Sequence, residues 1–166
     1  VGDDVYGEDP TVNRLQDMAG AMLGKRFCLF VPSGTMANQL AIRIQTQPGQ
    51  EVIVESTSHI VRYEQGAAGA LAGVQLHWVP GERGIITAEQ VEAAIRPTDP
   101  HSITTALICL ENTHNAGGGT IYPLSTIEKI RTVAVRHGIP MHLDGARLFN
   151  AVAATTLPPT AYAQHF

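Results

Sequence analysis

The segment Pro140-Met-His-Leu-Asp144-Gly-Ala-Arg147 closes an apolar stretch on a carboxylate and then turns, through Gly145, onto a guanidinium. A carboxylate so placed suits a cationic ring nitrogen. Nearer the amino end, Pro32-Ser33-Gly34-Thr35 sets a turn of small residues between an apolar run and an amphipathic stretch. Such a turn offers backbone N–H groups at a positive helix end, where a phosphate can rest. The turn lacks the Lys-Ser/Thr ending of a nucleotide loop and the spaced glycines of a dinucleotide loop, so a single phosphate fits it better.

A phosphate at one end and a cationic ring nitrogen at the other outline a pyridoxal phosphate site. Each part alone has a plainer reading. Ser33-Gly34-Thr35 is also how an ordinary helix is capped, and Asp144 serves equally as a cap for a turn opened by Gly145-Ala146-Arg147. His142 and Asp144 lie two apart on a strand and face the same way. His142 reads as a core histidine or, with Asp144 and either Glu111 or His114, as part of a metal set. His59 and His114 each follow an apolar run, where a loop histidine is structural or catalytic. His77, His101, His137 and His165 have no polar company and are assigned no role. The lysines are Lys25 and Lys129, and neither is placed to carry the cofactor.

The elements that must hold these groups alternate. Asp9-Pro10 opens a helix with the apolar stripe Val12, Leu15, Met18, Ala19, Met22 and Leu23, and Gly24 ends it. Phe27 to Val31 is wholly apolar and predicts a strand covered on both faces. Met36, Leu40, Ile42 and Ile44 predict a helix stopped by Pro48-Gly49. There follow a strand at Val52–Val54, a helix from Ile60 to Leu71 and a strand at Val74–Val79. Thr87 with Gln90 is a capping-box signature for a helix to about Ile95. After a strand at Ala106–Leu110, Ser125 with Glu128 predicts a second capping box, on a helix burying Leu124, Ile127, Ile130, Val133 and Ala134 and ending at Gly138. Met141–Leu143 is the last strand.

Strands alternating with helices imply an α/β, three-layer domain with a mainly parallel central sheet. Ligands gather at the carboxyl ends of such strands. Ser33-Gly34-Thr35, Ser58-His59, Glu111 to Asn115, and Asp144 with Arg147 each follow a predicted strand, so they are expected to converge on one edge. The 166 residues are 44% apolar, enough for a continuous core, and carry eleven basic against fifteen acidic residues. No basic block points to nucleic acid, and no apolar run is long enough for a bilayer span. The expected setting is cytoplasmic. Cys28 and Cys109 lie in apolar runs and read as free, reduced thiols.

Five blocks in unbroken order resemble the L-threonine aldolases: Gly2 to Pro10, Phe30 to Met36, Ser58-His59, Glu111 to Asn115, and His142 to Asn150. The match runs from Val1 to about Ala153. The resemblance implies the large domain of a fold-type-I pyridoxal phosphate enzyme and retro-aldol cleavage of β-hydroxy-α-amino acids to glycine and an aldehyde. It assigns the cofactor phosphate to Ser33, Gly34 and Thr35, the pyridine face and substrate hydroxyl to His59, and the pyridine nitrogen to Asp144. Arg147 would meet the cofactor's phenolic oxygen or the substrate carboxylate. His114 would approach the substrate side chain, with His59 or His114 as the base. Dimers or tetramers are implied, with Tyr6 reaching a neighbour's site. No metal is implied.

In that family the Schiff-base lysine lies beyond the block ending at Asn150, and a small C-terminal domain follows it. The resemblance therefore implies that residues 1–166 are part of a large domain. The rival readings are a β-eliminating lyase of the same fold, a lysine-free binding domain, and a metal-dependent hydrolase using His142, Asp144 and His114.

Overall fold

The computed structural model describes residues 2–166; Val1 lies outside them. Four strands form one parallel sheet in the order β2-β1-β3-β4: β1 Glu51–Glu55, β2 Gln75–Val79, β3 Thr105–Glu111 and β4 Met141–Asp144. Side chains alternate across it. Ile53, Ile108 and Leu110 pack to one side, against α4 (Ala88–Ala94), α5 (Leu124–His137), α6 (Leu148–Thr155) and α7 (Pro159–Ala163). Val52, Val54, Leu107 and Cys109 pack to the other, against Ile42 of α2 (Gly34–Gln45) and a π-helical turn, Ala68–Ala72. This is the expected three-layer α/β arrangement. Burial in the second layer pushes the Cys109 thiol far above its ordinary pKa, as befits an inert core thiol.

Local chemistry sets most boundaries. In α1 (Pro10–Leu23), the Asp9 carboxylate accepts from the N–H groups of Thr11 and Val12, and Gly24 closes the helix at φ 66°. The Thr87–Gln90 capping box is present in full. The second one is not: α5 starts at Leu124, with Thr126 and Ile127 donating to the Pro123 carbonyl, because Pro123 already holds a helix-compatible φ of −57° one residue before Leu124. The expected helix from Ile60 to Leu71 is broken. A short α3 (His59–Arg62) ends, Gln65 and Gly66 turn through positive φ, and the π-helical turn follows.

Two further expectations fail for lack of a partner. Phe27–Val31 is not a strand: among the described residues no strand runs beside it, and Phe27 and Leu29 are 77% and 74% exposed. In α2 only Ile42 of the predicted apolar stripe faces the sheet. Asn38, Gln39 and Ile42 are buried, while Met36, Leu40 and Ile44 are exposed. Leu15, Met18 and Met22 of α1 are likewise about half exposed. No helix among the described residues is long and apolar enough to cross a membrane.

Candidate active site

Because β1, β3 and β4 are parallel, Glu55, Glu111 and Asp144 end them on one edge, with Glu111 registered directly against Asp144. A cleft of about 220 Å³ opens there, between the start of α2 and the loops after β1, β3 and β4. Gly34, Thr35, His59, Asp144 and Arg147 all line it, with Asn38, Glu111, Thr113 and Ala146.

Asp144 is 7% exposed. Its Oδ2 accepts from Asn38 Nδ2 at 2.8 Å and its Oδ1 from the Ala146 N–H at 3.2 Å. Each oxygen keeps a lone pair for a donor in the cleft. His59 opens α3, held there by a 2.7 Å bond from its N–H to Glu111 Oε2, and the Asn115 N–H reaches Glu111 Oε1 at 2.8 Å. Buried Glu111 therefore ties together the loops after β1 and β3. The His59 ring sets its Nδ1 2.8 Å from Glu64 Oε1 and tilts against Tyr63, with centroids 5.5 Å apart.

At the other side of the cleft, Ser33 caps α2 by accepting from the Met36 N–H at 3.1 Å. The N–H groups of Gly34 and Thr35 have no partner within the helix. A Cβ on Gly34 would meet nothing within 4 Å, so this glycine is not demanded by the fold; it leaves open space at the helix end. Free donors, open space and a buried carboxylate across the cleft fit a phosphate at one end and a cationic nitrogen at the other.

Three expected residues stand elsewhere. Ser33 lines two apolar grooves beside the cleft rather than the cleft itself, and its hydroxyl caps α2. Tyr6 is 78% exposed, on a 3-10 turn, and does not line the cleft. His114 is fully buried. Its Nδ1 accepts from the Gly117 N–H at 3.1 Å, and its Nε2 lies 3.0 Å from Glu55 Oε2 without the angle of a hydrogen bond. The chain turns back at His114 to bridge Thr120, which carries the ring under Gly84 and away from the cleft. Of the two histidines, His59 lines the cleft and His114 does not.

Two residues escaped the sequence reading. Glu64 is 3% exposed and Asn38 4%. Asn38 Nδ2 stands 2.8 Å from both Glu64 Oε1 and Asp144 Oδ2. Among the described residues, the acidic and imidazole ligand atoms that gather within 4.8 Å of one another are those of His59, Glu64 and Asp144, not the set of His142, Asp144 and His114. With the Asn38 amide donating to both carboxylates, this group reads as a hydrogen-bond network. Lys25 bonds the Phe166 carbonyl and Lys129 lines a groove between α4 and α5, so neither lines the cleft. A larger recess of about 420 Å³ opens at the amino ends of the strands, but its Arg96 is already paired with buried Glu51.

The family model described as beta-eliminating lyase matches residues 1–166. A low-specificity L-threonine aldolase of Arabidopsis thaliana is 44% identical over 164 residues, covering 95% of this chain and 45% of that protein. The low specificity L-threonine aldolase of Escherichia coli K12 is 39% identical over 155 residues, covering 93% and 46%. The solved structure of Leishmania major threonine aldolase superposes with a TM-score of 0.86 at 27% identity, covering 96% of this chain and 47% of that one. The chain thus spans about half the length of these relatives.

Proposed function

The chain belongs to the beta-eliminating lyase family, and we propose that it serves a pyridoxal-phosphate-dependent aldehyde-lyase cleaving L-threonine, allo-threonine and related β-hydroxy-α-amino acids to glycine and an aldehyde. The observation that carries this is the pairing, across one cleft, of buried Asp144 with the free N–H groups opening α2. The similarity to threonine aldolases supports the choice of reaction over β-elimination. Residues 1–166 are read as part of the cofactor-binding large domain, with the cofactor-bearing lysine and small domain supplied by sequence outside them.

When bound, the cofactor supplies an electron sink for the bond that breaks at the substrate α-carbon. Gly34 and Thr35, through backbone N–H groups left free by the Ser33 cap, would hold its phosphate, and Asp144 its ring nitrogen. A carboxylate there favours the protonated nitrogen, by charge and by a charge-assisted hydrogen bond. Arg147 is exposed at the mouth, free to hold a substrate carboxylate or the phenolic oxygen. Holding the carboxylate there would orient the substrate and so select which α-carbon bond breaks. His59, lining the cleft, would take the substrate hydroxyl proton as the carbon–carbon bond opens.

The whole protein is proposed to work in the cytoplasm as a homodimer or homotetramer, with Tyr6 offered to a neighbouring subunit's site. The exposed Met18, Met22, Leu40 and Ile44 support such assembly. Incubation of the whole enzyme with L-threonine is the test. Acetaldehyde and glycine are expected; 2-oxobutanoate and ammonia would mark a β-eliminating lyase instead.

A further inference from the structure

Beneath the cleft lies a carboxylate that the proposed reaction does not use. Glu64 is buried, yet three side chains converge on it: Asn38 Nδ2 and His59 Nδ1, each 2.8 Å from Oε1, and Gln39 Nε2, 2.6 Å from Oε2. We propose that Glu64 is a positioning residue that fixes His59 as the Nδ1–H tautomer, so that Nε2 is the bare nitrogen available in the cleft, and that Asn38 orients Glu64 and Asp144 together.

The proton positions follow from what each atom can do. The Asn38 terminal atom near Glu64 and Asp144 meets two carboxylate oxygens at once. A carbonyl oxygen would be repelled by both, so this atom is the NH2, with one hydrogen for each. Asn38 Oδ1 then faces His142 Nε2 at 2.9 Å and can only accept, which makes His142 the Nε2–H tautomer. Burial holds the His142 pKa below its ordinary value, in keeping with a neutral ring.

With Asn38 and Gln39 donating to Glu64, its oxygens act as acceptors, and the partner at His59 Nδ1 must be N–H. The other ring nitrogen has no protein partner among the described residues, and the side chain is 33% exposed to the cleft. A histidine whose Nδ1–H is held by a carboxylate presents Nε2 as a lone pair. That consequence for catalysis rests on the proposed function. The tautomer does not.

The test is imidazole ¹H–¹⁵N correlation on the uniformly ¹⁵N-labelled protein at pH 8.5, without cofactor. His59 is expected to show a protonated Nδ1 and a pyridine-type Nε2, and His142 the reverse pattern. Glu64→Ala removes the acceptor, and the pyridine-type signal of His59 should move from Nε2 toward Nδ1, in a protein whose amide spectrum stays dispersed. An Nε2–H tautomer or an imidazolium at His59 in the unsubstituted protein would overturn the proposal, as would an unchanged tautomer in folded Glu64→Ala. If Glu64→Ala does not fold, the unsubstituted spectrum alone decides. Failure of the whole enzyme to cleave threonine would sink the functional reading and leave the tautomer result standing.

Discussion

Asn38 and Asp144 are 106 residues apart in sequence, and the amide of one donates to the carboxylate of the other at 2.8 Å. One residue lies in the second turn of α2 and the other ends β4, so this bond ties the proposed phosphate end of the cleft to its proposed ring-nitrogen end. The site is thus one piece, built at the meeting of a helix start and three strand ends.

Asp144→Asn should preserve that tie, since an amide oxygen still accepts from Asn38. It removes the charge that favours a protonated ring nitrogen. In the whole enzyme, turnover of threonine is expected to fall by at least about 100-fold with thermal stability little changed. Steady-state kinetics beside a melting curve check it; a near-normal rate would refute the role given to Asp144.

Gly34→Ala separates folding from binding. The new Cβ meets no protein atom within 4 Å, and alanine is the better helix former, so stability should rise by up to about 1 kcal/mol. The same methyl intrudes on the open space at the helix end, so affinity for pyridoxal phosphate should weaken. A binding titration that shows no loss would mean the phosphate lies elsewhere.

The two histidines that seemed alike in sequence should part company. His114→Ala empties a fully buried ring site and is expected to cost about 3 kcal/mol. Gly84→Ala should also destabilise, because its Cβ overlaps the His114 ring and its φ is +84°. His59→Ala, at a half-exposed site, should cost under about 1 kcal/mol yet lower turnover. Denaturant midpoints and kcat for the three variants decide.

That contrast marks how far the sequence could be read. The parallel α/β alternation and the shared edge were legible, because buried parallel strands are short apolar runs and their carboxyl ends carry the polar residues, as at Glu111 and Asp144. Asn38 and Glu64 were not. On a helix, a polar residue reads as solvated, and of the stripe Met36, Leu40, Ile42 and Ile44 only Ile42 lies on the inward face of α2; the rest of that face is Asn38 and Gln39, which donate to Asp144 and Glu64. Glu64 is brought in only by the positive-φ turn at Gln65 and Gly66, inside a stretch whose spacing suggests continuous helix. Phe27–Val31 shows the converse: apolar composition alone does not supply a hydrogen-bonding neighbour.

The lysine positions make a direct labelling test. Lys25 is held by the Phe166 carbonyl and Lys129 lies among the helices that cover one face of the sheet. Neither should be trapped stoichiometrically when this chain is incubated with pyridoxal phosphate and reduced with borohydride. Peptide mapping that finds one lysine fully labelled would contradict the placement of the cleft.

Acid stability should depend on a pair far from the cleft. Glu51 is fully buried at the amino end of β1, and its two oxygens accept from Arg96 Nε and Nη2, each at 3.1 Å, with His77 Nδ1 at 3.1 Å. Burial pushes its pKa up, but the Arg96 and His77 hydrogen bonds and charges outweigh this and leave it below the ordinary 4.5. A depressed carboxyl pKa in the folded state stabilises it above the unfolded value, and the contribution is lost as pH falls below about 4.5 through the folded value. Glu55, lowered by bonds from Thr57, Ser56 and Gly81 despite its burial, acts in the same direction. Glu51→Gln keeps the shape and removes one such group. It should destabilise by about 1–3 kcal/mol at pH 7 and by progressively less as pH is lowered from 7 through about 4.5, because the unfolded chain then binds a proton that the folded Glu51 carboxylate does not, and the advantage of the ionised form is lost. Urea midpoints for both proteins across that range measure the difference, and a gap that stays constant with pH would show that the Glu51 charge contributes nothing.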